Sequence, residues 1–384
     1  MHVGRRDLAR LTAGKATANT AARWIPFFLF VLADAFDTSI STLTLIIGIG
    51  EMAGLASILV GGQLDRGRER TFLVAAMILI SGSGIIALAG TIPTFAVSFL
   101  LVTGGVSLFS VAGHAWLSHR VPFARRARAI GTLETSWALA LIVGAPIAAL
   151  LIEWFGWRGP FVFVAIAGAV MAVVVAQVPD DDVGPRPSPP PSGTKHLTRP
   201  AVVNISMSAA TAMAGLTTIV IVGTWLEDDF GISTGEVGLT AMAFGVVEIS
   251  ASGGSARFAD QLGKVRTTGL AHIGLFVGLI IMMNADSNFA VAAVGLAFFF
   301  LGFEYAIVTS FSIVSESAPA ARGRALAANT AIGTVTRGGG AVASGYLFDA
   351  FGIAGPATLS ALAATIALGL LITGDRLTAQ PIAA

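Results

Sequence analysis

Eleven stretches of this chain hold two charges at most: residues 41–63, 71–92, 94–116, 128–152, 159–178, 200–226, 237–256, 267–285, 289–314, 325–348 and 353–373. A helix of ~20 such residues crosses the hydrocarbon core of a bilayer. Lipid offers no partner for a bare N–H or C=O, so only helices and closed barrels span it. The apolar/polar alternation of barrel strands is missing. An all-α integral membrane protein follows. Composition agrees: 55% of residues are hydrophobic and 12% charged, about half the ~25% charged share of soluble domains. So few charges cannot cover a soluble fold, which excludes a cytosolic enzyme, a disordered chain and a nucleic-acid binder. The 45 glycines suit helices that pack closely in lipid. Cysteine is absent, so disulfides, thiolate metal sites and cysteine nucleophiles are excluded, and no metal is expected.

A twelfth span is less plain. Residues 24–34 are apolar but too short to cross. Extension forward meets Asp34 and Asp37; extension backward meets Arg23, Asn19 and Lys15. An internal repeat decides for the backward choice, a first span of about 8–32. Arg126, Arg128, Gly144, Phe155, Gly156 and Pro160 recur as Arg322, Arg324, Gly340, Phe351, Gly352 and Pro356, 196 residues on. LADAFDTS at 32–39 matches LEDDFGIS at 226–233, which ends a long span. Its partner should end one too. The chain then reads as a six-helix bundle at 1–178, a proline-rich linker at 179–199 and a second six-helix bundle at 200–384. Repeated sets of spans are a mark of secondary transporters.

Charge gives the orientation. All but four of the 23 Lys and Arg residues fall in segments on one face of the membrane; Arg158 falls on the other, and Lys15, Arg23 and Arg337 lie within spans. Cytoplasmic loops carry the Lys/Arg excess, so both termini are expected in the cytoplasm and the protein in a plasma or inner membrane.

Two loops repeat a motif. Gly61-Gly62-Gln63-Leu64-Asp65-Arg66-Gly67-Arg68-Glu69-Arg70 follows span two, and Phe258-Ala259-Asp260-Gln261-Leu262-Gly263-Lys264-Val265-Arg266 follows span eight. An acid at a span's end can cap the next helix and meet Arg on its neighbours. With these residues the chain resembles the major facilitator superfamily. Gly144-Ala145-Pro146, taken as a helix-packing site, and the run Phe155-Gly156-Trp157-Arg158-Gly159-Pro160-Phe161 look like the fifth span and following loop of its drug and sugar efflux branch. Two departures stand beside the resemblance. Leu101 occupies the position of that branch's span-four Arg, and Ala145 splits the Gly-Pro pair. The resemblance implies two pseudo-symmetric bundles of six helices around a central cavity lined by spans one, four, seven and ten. The loop motif is thought to hold one state closed, a gating role carried over to Gly62, Asp65, Arg66, Gly67, Arg68 and Arg70 and, in the second copy, to Asp260, Lys264 and Arg266.

A charge at mid-bilayer costs roughly 2.5–3.5 kcal/mol on insertion scales, so it faces a cavity or a partner. Lys15, Asn19 and Arg23 recur at i, i+4 and i+8, one stripe of span one. Arg23 is the leading substrate or counter-ion contact, while Lys15 could instead snorkel to the cytoplasm. Glu304, beside Tyr305 in span ten, is the natural proton carrier: burial disfavours a carboxylate and a nearby cation favours it, so substrate can be exchanged for a proton. Glu134 in span five belongs to the same cavity set or binds an Arg of the loop at 120–128, and Trp137 offers a face for a planar substrate or a packing surface. His114 is a proton-exchanging candidate or else a satisfied packing residue, and His272 reads as peripheral. In the resemblance Glu51 and Arg337 lie on facing spans of the two bundles, an expected inter-bundle pair, with Glu248 on the other such helix pair.

No nucleotide-binding glycine loop, HExxH or Ser/His/Asp set occurs, so neither ATP-driven transport nor enzyme chemistry is expected. The reading is a proton-coupled efflux antiporter for a small organic molecule. The alternative is an uptake symporter of a small anionic or polar solute. A non-transporting sensor or scaffold is remote. No cofactor is expected beyond a proton gradient. The expected partners are the substrate and lipid, with no nucleic acid, and the protein is expected to act as a monomer.

Overall fold

The computed structural model describes residues 4–64, 66–180, 197–319 and 321–379. Among them every regular element is helical. Ten helical stretches are long and apolar enough to cross a membrane, beginning with Arg5–Phe36 and ending with Ala354–Thr378. A shorter apolar helix, Ile40–Ala56, and the 30-residue helix Arg322–Phe351 supply the remaining spans of the expected twelve. The first span therefore lies upstream of Leu32, where the repeat put it. The linker residues 181–196 and Asp65 of the loop motif lie outside the described residues.

Several spans are built from two pieces. The first is α1 (Arg5–Arg23), a 3-10 turn at Ile25–Phe28, and α2 (Leu29–Phe36). Pro26 stands in that turn and cannot donate to the helix ladder. Trp24 packs edge-on to Phe161 at 5.2 Å, which seals the break inside the bundle. Span two begins as α3 (Ile40–Glu51) and continues as a 3-10 helix, Met52–Val60. After α4 (Glu69–Ala87) comes α5 (Ile92–Arg120), whose Thr103 and Ser107 hydroxyls donate to the carbonyls of Gly50 and Gly54 at 2.8 and 3.0 Å. Those bonds take carbonyls that the α-helical ladder of span two would use. Span five is α6 (Phe123–Leu139), a π turn at Ala140–Gly144, and α7 (Ala145–Phe155). Pro146 lacks the N–H that would close the preceding turn. Gly144 lets this widened turn approach α1: a Cβ there would lie 2.5 Å from Thr20 Cγ2.

The internal repeat is written into the backbone. Four pairs account for the positive-φ positions among the described residues: Gly67 with Gly263, Gly90 with Asp286, and Gly156 with Gly352, each 196 residues apart, and Asp37 with Gly231, 194 apart. Glycine, and Asp as the tolerated substitute, reaches this region at little steric cost. The first copy ends with α8 (Arg158–Val175), and the second opens with α9 (Arg199–Ile219) and α10 (Val222–Phe230), which break at Val220. It ends with α11 (Thr234–Leu262), α12 (Lys264–Met283), α13 (Phe289–Ser317), α14 (Arg322–Phe351) and α15 (Ala354–Ala379).

The chain divides into two compact units: Met1–Ser39 with Ile49–Ser188 and Ile232–Gly245, and Ile40–Gly48 with Pro189–Gly231 and Val246–Ala384. Relative to a single division at 179–199, the segments 40–48 and 232–245 trade places. Small residues hold each in its unit. In the first, a Cβ on Gly238 would meet Ala149 Cβ at 2.6 Å; in the second, one on Gly48 would meet the Gly338 carbonyl at 2.5 Å. The second unit is laced by buried hydroxyl pairs, Ser208–Ser310, Thr268–Thr309 and Thr218–Ser360, each at 2.8 Å. His272 is buried in this unit, with Nδ1 2.8 Å from the Thr268 carbonyl and Nε2 2.9 Å from Thr211 Oγ1.

Candidate functional site

The stripe on α1 meets α6 rung by rung. Lys15 Nζ donates to Glu134 Oε1. One turn on, Asn19 Nδ2 donates to Ser136 Oγ at 3.1 Å. One turn further, Arg23 donates to the Trp137 carbonyl at 2.7 Å and lays its guanidinium over the indole, 4.3 Å from the centroid. From α5, His114 Nε2 reaches the same Glu134 oxygen at 2.6 Å. The helical period sets this register, because residues four apart on α1 rise together along one seam. Lys15 does not snorkel and Glu134 does not bind an Arg of the 120–128 loop; the two satisfy each other. Burial of the ammonium in lipid without a partner would cost more than either alternative gains.

Exposure is graded across the ladder. The Lys15 side chain is 4% exposed, whereas Glu134 is 44% and His114 41% exposed. Trp137 is 43% exposed. Glu134 thus stands between a hidden ammonium and the accessible side. One turn along α1, Asn19 Oδ1 is buried with no hydrogen-bond partner. Ser136 was absent from the sequence-derived set; its signal is its place two residues from Glu134.

In the second unit, Glu304 is buried on α13 and accepts from Ser252 Oγ of α11 at 3.2 Å. The Tyr305 hydroxyl is enclosed and unpartnered. Glu248 is buried on α11. On α14, Arg337 donates to Thr334 Oγ1 at 3.4 Å, and Asn329 Oδ1 is buried without a partner. Glu51 closes α3, half-buried.

At the loop after span two, Arg66 and Arg68 are exposed, Gly67 turns with φ 79°, and Arg70 pairs with Asp180 at 2.7 Å. Beside them lies a cluster that sequence reasoning missed. Glu69 is fully buried in the first turn of α4, bonded to His119 Nδ1, with Arg120 NH1 3.6 Å away. Its signal was an acid opening one span and a His-Arg pair closing the next. After span eight, Lys264 bridges Asp260 at 3.0 Å and Glu316, beside Arg266 in an open cavity of ≈ 580 Å³.

The chain, with ten membrane-length helices among its described residues, an internal repeat and ion pairs inside its spans, matches one family model, Major Facilitator Superfamily, over residues 16–320 and 203–382. The chain belongs to the Major Facilitator Superfamily. It is a multi-pass membrane transporter and not an enzyme. Among superfamily relatives, the uncharacterized MFS-type transporter YwfA of Bacillus subtilis is 28% identical over 360 residues, 88% of this chain and 85% of that one. The cis,cis-muconate transport protein of Acinetobacter baylyi is 28% identical over 357 residues, covering 85% and 81%. A bacterial homologue of the human lysosomal transporter Spinster, crystallised inward-facing and unoccupied, shares the superfamily fold with a TM-score of 0.80 at 14% identity over 100% of both chains.

Proposed function

We propose that this secondary transporter moves a small organic anion, coupled to protons, with the α1–α6 ladder as its binding surface. The observation that carries this reading is the ladder's composition: Lys15, Arg23 and His114 line it with Glu134 as its acid. An arginine fork suits a carboxylate, and the exposed Trp137 face suits a planar, conjugated skeleton. The relative named for cis,cis-muconate, similar over 85% of this chain, supports an organic carboxylate. Glu134 and Glu304 are the two carboxylates placed to take a proton, one in each unit. The Lys/Arg distribution supports a plasma or inner membrane with both termini in the cytoplasm, and the protein works as a monomer.

Efflux of a small organic molecule against protons is the second reading. The run Phe155–Phe161, which resembles the efflux branch, favours it, and the structure gives that run a built shape: Arg158 lies 4.3 Å over the Trp157 ring.

Proteoliposomes holding the purified protein separate the two. Under an inward-directed proton gradient, uptake of benzoate or cis,cis-muconate above empty vesicles supports the first reading. Proton-driven extrusion of lipophilic cations with no anion flux replaces it with the second. Neutralising Arg23 should lower anion flux at least tenfold.

A further inference from the structure

One carboxylate oxygen in the ladder is shared by an ammonium and an imidazole. Lys15 from α1 and His114 from α5 both end on Glu134 Oε1. Among the described residues these are the titratable groups paired with Glu134. On α6 itself, Arg125, Arg126 and Arg128 lie near the opposite end, and Arg126 is engaged by the Ser118 carbonyl at 2.7 Å. The Lys15 side chain is 4% exposed and its partner 44%. An incoming ligand therefore meets the carboxylate first, and reaches the ammonium only if the carboxylate leaves.

We infer that Glu134 is an internal stand-in for the substrate's carboxylate: protonation releases it from Lys15 and His114, and the organic anion takes its place. This rests on the anion reading above and adds the coupling group and the stoichiometry to it. At rest, Lys15 is positive and Glu134 negative. When loaded, Glu134 has gained one proton and is neutral, and the substrate carboxylate supplies the negative charge. The charge in the ladder is unchanged, and one proton enters with each carboxylate.

Two other states are disfavoured by the same geometry. A proton without an anion leaves a buried ammonium with no counter-charge, the costly half of a broken buried pair. An anion without a proton sets two carboxylates on one ammonium, and like charges at that distance resist joint ionisation. The leak states of a transport cycle are these two. Their cost makes proton and anion travel together, in the same direction.

The test uses purified full-length protein in detergent with benzoate and cis,cis-muconate as probes. Added to the wild type in weak buffer, either probe should draw about one proton per carboxylate bound. Affinity should fall with rising pH, at most tenfold per unit for one linked proton. Glu134→Gln should bind the probe with an affinity that no longer depends on pH, take up no proton, and exchange labelled probe across liposomes without accumulating it. A wild-type pH slope retained in Glu134→Gln overturns the assignment to Glu134. Should that variant not fold, Lys15→Gln/Glu134→Gln removes the pair whole, and any probe-linked proton uptake that survives overturns the assignment equally. If the wild type binds neither probe at any pH, the anion reading itself falls.

Discussion

Truncating the two ends of the Lys15–Glu134 pair should have unequal effects on stability. Lys15 is buried at 3% exposure, while the Glu134 side chain is 44% exposed and keeps a second partner, His114, at 2.6 Å. Lys15→Met takes away the buried charge and leaves a carboxylate that is half in solvent and still paired. That loss resembles a surface ion pair, about 0–1 kcal/mol. Glu134→Gln instead leaves the ammonium enclosed against a neutral amide. Breaking a buried pair from that end costs roughly 3–5 kcal/mol; the open side of Glu134 reduces this to about 2–3 kcal/mol by the same principle. Lys15→Met/Glu134→Gln should then recover most of the loss, a coupling of roughly 2–3 kcal/mol in a double-mutant cycle. Thermal unfolding of the four proteins in one detergent, followed by tryptophan fluorescence, gives the ordering. Equal losses for the two single variants, or a larger loss for Lys15→Met, would refute the burial argument.

Gly144→Leu should push the widened turn of span five off α1, since even a Cβ would sit 2.5 Å from Thr20 Cγ2; overpacking of this kind costs about 1–3 kcal/mol, and Thr20→Ala should restore part of the lost transport in a flux assay. Trp137→Ala should weaken probe binding by about two- to fivefold through loss of the Arg23 stack, worth about 0.5–1 kcal/mol at an exposed site, while Trp137→Phe should retain most of the binding in a titration. Glu69→Ala should lower the unfolding temperature, because it removes the buried carboxylate that His119 and Arg120 share; truncating one partner of a buried pair costs roughly 3–5 kcal/mol, and an unaltered melt would remove the cluster's structural role. Single cysteines at Arg66 and Arg322 should react with a membrane-impermeant thiol reagent only in inside-out vesicles, and reaction in intact cells would reverse the orientation.

The bilayer made much of this protein legible from residues alone. It permits one backbone solution, so the length and polarity of each stretch fixed the spans, and the loop charges gave the expected orientation. The repeat read from pairs such as Phe155 and Phe351 placed the ambiguous first span correctly, and the backbone answers it with left-handed positions such as Gly156 and Gly352 in matched pairs. The stripe of Lys15, Asn19 and Arg23 was visible because helical period is a local rule. What that stripe touches was not. Glu134 is 119 residues from Lys15 in the chain, and the register of α1 on α6 depends on Gly144, Thr20 and the widened turn before Pro146. Partner choice in lipid is decided by which small residues let two helices close, and no local pattern encodes it. The same reason explains the missed Glu69–His119–Arg120 cluster and the buried His272: each is polar in sequence, and only the packed neighbours show what satisfies it.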